Sequence, residues 1–107
     1  MLTNDDAKEV AATILTQLGG RRFIAMTGAK NFVAMNDGLG GLCCSIPQMS
    51  GIKVNALKIT LNVSDYYDVA FSRLYAGKLT VISEHTDVCF DELQPLFEKE
   101  TGLLTHL

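Results

Sequence analysis

The hydrophobic period of this chain changes twice, and those two changes limit the fold more than any single motif. From Asn4 to Leu18, apolar residues recur at helical spacing, with Ala7, Val10, Ala11, Ile14, Leu15 and Leu18 on one stripe. Asn4 reads as an N-cap, Asp5 and Asp6 sit where the helix dipole favours anions, and Gly19-Gly20 supply the stop. Beyond Gly20 the period becomes that of strands. "RRFIAMT" and "NFVAMN" read as a strand pair around the turn signal "TGAK", and "NDGLGG" leads into "LCCSI", which Pro47 ends. After a loop, "PQMSGIK", the stretch "VNALKITLNV" sets Leu57, Ile59 and Leu61 on one face and Ala56, Lys58 and Thr60 on the other. "SDYYDVAFSRL" continues with Tyr67, Val69 and Phe71 inward and Asp65, Asp68 and Ser72 toward solvent. "YAGK" is a hairpin turn into "KLTVISE". Near "DELQPLFEKETG" the helical period returns, with Leu93, Leu96 and Phe97 inward, Pro95 in the first turn and Gly102 as the stop.

This order predicts an α+β domain: an antiparallel β-meander of about six strands, with an N-terminal and a C-terminal helix packed on one face. The 107 residues form one domain, 1–107, long enough for a single core.

Composition narrows the function classes. The chain is 48% hydrophobic, but in short runs well under the roughly 18 apolar residues of a membrane span. The N-terminus is acidic and lacks an apolar centre, unlike a signal peptide, so a cytoplasmic protein with no membrane partner is expected. Three cysteines, two of them adjacent at Cys43 and Cys44, are no disulfide framework.

The stretch "QLGGRRFIAMTGAKNF" is the densest in chemistry. A phosphate-binding loop needs its glycines between a strand and a helix and ends in Gly-Lys-Ser/Thr, whereas "GAK" is followed by Asn31 and lies between two expected strands. Gly19 and Gly20 instead serve as a helix stop, with Arg21 and Arg22 just past the helix C-terminus. Arg22, Lys58 and Arg73 lie in the strand half, and on a sheet face beside Phe32 or Tyr66 they could bind single-stranded nucleic acid. Against this, the net charge is -3, without the basic excess usual in such domains. His85, Cys89 and His106 lack zinc spacing, so no metal and no cofactor is expected. A nucleophile built on Cys44 or Cys89 with His85 has no accompanying elbow or carboxylate pair, and the chain reads as a non-enzyme.

Three blocks, "ILTQLGGRRFIAMTGAKNF", "VNALKITLNVSDYYDVAFSRL" and "LQPLFEKETGL", resemble a family of small proteins encoded in bacteriophages, prophages and other mobile elements. The resemblance spans Ile14 to Leu104 and implies an accessory protein acting inside a bacterial cell, with no catalytic residues to carry over. The resemblance also implies that relatives often place several basic residues in the segment matching "SIPQMSGIK", where this chain has only Lys53.

The leading expectation is therefore a non-enzymatic accessory protein that binds a host or phage macromolecule. Its contact candidates are Met35, Met49 and Ile52, in or near the loops "MNDGLGG" and "PQMSGIK". Two strands apolar on both faces, "RFIAMT" and "FVAMN", also predict a homodimer with Ile24, Met26, Val33 or Met35 in its interface, the alternative being a sheet coiled into a partial barrel that buries both faces within one chain.

Overall fold

A computed structural model describes residues 4–36, 39–47 and 54–102. Two helices, α1 (Asn4–Leu18) and α2 (Arg21–Thr27), precede five strands, β1 (Lys30–Met35), β2 (Gly41–Ser45), β3 (Ala56–Leu61), β4 (Tyr67–Tyr75) and β5 (Lys78–Val88). A 3-10 turn, Phe90–Glu92, leads into α3 (Leu93–Thr101). The strands form one antiparallel sheet in chain order, β1-β2-β3-β4-β5. The expected α+β meander is present, with five strands rather than six and three helices rather than two.

The difference lies in "RFIAMT", which is α2 and not a strand. Phe23 and Thr27, one helical turn apart, are buried, and Ile24 packs against the core. The Thr27 hydroxyl donates to the Phe23 carbonyl at 2.6 Å and accepts the Ala29 N–H at 3.2 Å. Gly20, at φ 60°, lets the chain leave α1 and re-enter a helix at once. Gly28 ends α2 in the left-handed region with its N–H on the Ile24 carbonyl. Arg21 and Arg22, just past the end of α1 as expected, also open a second helix.

One face of the sheet is covered. Leu42 and Cys44 of β2, Leu57 and Ile59 of β3, and Val69 and Phe71 of β4 are all buried among Ile14, Leu18, Phe23, Leu93 and Phe97 of the helices. Phe97 meets Phe23 edge-on at 5.0 Å between ring centroids and lies 6.5 Å from Phe71, which ties α3 to both α2 and the sheet. At the start of β2, a Cβ on Gly41 would stand 2.4 Å from the Ile59 carbonyl oxygen, so only glycine fits there. Ala76 and Gly77, both at positive φ, make the two-residue turn that "YAGK" predicts between the paired Tyr75 and Lys78.

Candidate functional site

The other face of the sheet carries no helix among the described residues, and strand alternation decides what it displays. In β2, Cys44 turns inward and is buried, so its neighbours Cys43 and Ser45 turn outward. The register then aligns Val33, Cys43, Lys58, Ala70 and Glu84 in one row across all five strands. The next row holds Ser45, Ala56, Ser72 and Val81. In β5 the register jumps, Phe71 facing Ser83 while Ser72 faces Val81, so Ile82 is an extra, bulged residue. That bulge keeps Val81 and Glu84 outward while turning His85 inward.

The result is a sheet face with a small-residue floor. A hollow of about 470 Å³ is lined by Cys43, Ser45, Ala56, Ala70 and Ser72, with Val33 at one side and Leu79 and Val81 at the other. A second hollow of about 220 Å³ adjoins it and is more polar, with Thr60, Asp68 and Thr86. Lys58, Ala70 and Glu84 line both, so their row is the boundary between them. Ser72, expected in solvent, is 5% exposed because it lies in the floor of the larger hollow. Large apolar side chains remain open around it, among them Val33 (57%), Leu74 (53%), Leu79 (59%) and Val81 (48%).

The expected site residues separate. Lys58 is exposed in the middle of the outer face, and Met35 lies on β1, half-buried, its sulfur accepting the Cys43 S–H at 3.2 Å. Arg22 is exposed on α2 and belongs to no sheet face. Arg73 stands between the outward Ser72 and Leu74, so it points to the opposite side of β4 and lies 5.7 Å from the centre of the Tyr75 ring. Phe32 packs against the core. The structure therefore does not bring Arg22, Lys58 and Arg73 onto one face. Met49 and Ile52 lie outside the described residues. Ile24 and Met26, expected at a dimer interface as strand residues, sit half-buried on α2.

The adjacent cysteines Cys43 and Cys44 are held as thiols. Burial pushes Cys44 up to about 12, with the neighbouring Cys43 adding to the rise. Burial also raises Cys43, against the opposing charge of Lys58. Cys44 thus stays protonated near neutral pH and is no nucleophile. His85 is engaged elsewhere: its ring stands edge-on to Phe71 at 6.0 Å, and its Nε2 lies 2.8 Å from Glu100 Oε1, fastening α3 over β5.

Two polar clusters were not visible in the sequence. The Asn62 side-chain amide donates to Asp68 Oδ1 at 3.0 Å and Asp87 Oδ1 at 2.9 Å, while its carbonyl caps the β3–β4 turn through the N–H groups of Ser64 and Tyr66. Cys89, Asp91 and Glu92 present ligand atoms within 4.8 Å of one another. There the Glu92 carboxylate already accepts the Cys89 N–H at 3.2 Å, a capping role at the start of the 3-10 turn. No helix among the described residues is long and apolar enough to cross a membrane.

Compared with protein-family models, with curated proteins and with solved structures, the chain matches none of them.

Proposed function

We propose that the protein is a non-enzymatic interaction module that docks another protein surface on the open face of its sheet. The observation that carries this reading is the outer face itself: a floor of small side chains, flanked by exposed Val33, Leu79 and Val81, on a rigid scaffold whose other face is fully packed. Apolar patches of this kind on a folded surface mark interaction sites. Burial that keeps Cys44 protonated supplies no activated thiol at that position, which favours binding over catalysis there. The likeness of three sequence blocks to mobile-element proteins supports an accessory role inside a bacterial cell, and the protein docked on this face is a host or phage protein or a second copy of this chain. Nucleic acid is disfavoured by the dispersal of Arg22, Lys58 and Arg73 and by the net charge of -3.

The test is a paired capture experiment. Wild-type protein and a Val81→Asp variant of unchanged circular dichroism are immobilised and exposed to bacterial lysate. Proteins held by the wild type and lost by the variant support the reading. Identical protein capture by both from a lysate supplemented with the untagged chain, or capture of nucleic acid alone that fades with salt, contradicts it.

A further inference from the structure

We infer that the occupant of the outer face is a second copy of this chain, held about a two-fold axis that runs along the strands over Ala70. The inference rests on the outer face being a docking surface, and the charges of its central row supply the orientation. Lys58 and Glu84 flank Ala70, one strand away on either side, and both are exposed. Neither has an ion-pair partner among the described residues. Two strand spacings put their backbones about 10 Å apart.

Face-to-face sheets related by a two-fold axis have two simple choices. An axis across the strands stacks Lys58 on the partner's Lys58 and Glu84 on the partner's Glu84. An axis along the strands over Ala70 exchanges β3 with β5 and sets Lys58 against the partner's Glu84, twice. Only the second opposes unlike charges in the central row. It also brings Asp68 to the partner's Asp68, a carboxylate that already accepts the Asn62 amide at 3.0 Å. A closed isologous pair of this kind is the commonest oligomer.

Shape agrees with charge. The same axis carries Val81 over the partner's Ala56, a protruding side chain above a small one, and brings Ser72 to the partner's Ser72. Ala70, on the axis, is small enough for the sheets to approach to the usual separation of about 10 Å. Edge-to-edge pairing is the less suitable mode, because register shifts interrupt both edge strands, at Lys30/Val33 in β1 and at Phe71/Ser72 opposite β5. Three overlapping strands present on the order of 400 Å² per copy, below the roughly 800 Å² per partner of a standard specific interface, so pairing is expected to be weak and concentration-dependent.

A charge exchange tests this. Wild type should show a mass rising from monomer to dimer with increasing concentration in sedimentation equilibrium. Lys58→Glu alone and Glu84→Lys alone, folded by circular dichroism, should each weaken pairing about tenfold or more, because like charges then meet twice. Mixing the two variants should restore dimer, since every cross-contact becomes Glu against Lys. A mixture that stays monomeric, or single variants that pair as the wild type does, overturns the arrangement. A wild type that stays monomeric yet holds a Val81-dependent protein partner overturns self-pairing and leaves the docking surface standing. A monomer with no such partner overturns both.

Discussion

Ala70 and Phe71 are neighbours in one strand and belong to two different problems. Phe71 is 1% exposed, pressed between Phe97 and His85 on the covered face. Ala70 looks out from the centre of the open face, between Lys58 and Glu84. The same contrast recurs at Cys44 and Cys43, and at Leu57 and Lys58. The covered face is filled by large side chains that meet helices, whereas the open face has a floor of small ones, Ala56, Ala70 and Ser72, with larger ones around it. What differs is the partner: the covered face has its own within the chain, and for the open face we propose one from outside.

Substitutions on the two faces should separate stability from association. The largest effect belongs to Phe71→Ala, which should cost about 3–5 kcal/mol in urea unfolding, because it opens a cavity among Phe97, Val69 and the helices. Ala70→Ser, one residue away, should stay within about 0.5 kcal/mol of wild type, as surface substitutions do. A loss from Ala70→Ser comparable to that of Phe71→Ala would erase the distinction between the faces. Next comes Gly41→Ala, which should cost roughly 1–3 kcal/mol by the same assay, since the added methyl meets the Ile59 carbonyl oxygen and the strands must part.

The adjacent cysteines sharpen the comparison chemically. Cys44 should resist alkylation in the native protein and react only on unfolding, because its thiol is buried and protonated. The sign of the pH effect follows from the raised value. Between the ordinary 9.0 and about 12 the unfolded chain loses the Cys44 proton while the folded chain keeps it, so stability falls as pH rises through that window. Below 9.0 both states hold the proton and Cys44 adds no pH dependence. The smallest effect expected is that of Glu100→Gln, which removes the carboxylate facing His85 at a partly exposed pair and should cost no more than about 1 kcal/mol in thermal unfolding.

How much of this was legible in the sequence depended on length and period. The fifteen residues of α1 show four turns of one stripe, and β3 alternates cleanly, so both were readable. α2 was not. Seven residues cover two turns, and Phe23, Ile24 and Thr27 face inward in a run where Ala25 and Met26 are also apolar, so the pattern passes for a strand with two apolar faces. The homodimer expectation drew partly on that misreading, and Ile24 and Met26 leave it with α2. The outer face was half legible: the outward set Ala56, Lys58 and Thr60 could be read from β3 alone. Glu84 could not be placed beside Lys58 and Ala70, because that needs the strand register and the bulge at Ile82. The basic patch failed for the same reason, since residues grouped by the strand half of the chain need not share a face.

The most direct measurement of the central claim is hydroxyl-radical footprinting of side chains across a dilution series. The two-face account predicts that Val81 and Leu74 lose reactivity as concentration rises, while Val63, 94% exposed in the β3–β4 loop, stays equally reactive. Unchanged reactivity of Val81 and Leu74 at every concentration, or protection centred on the helices instead, would contradict it.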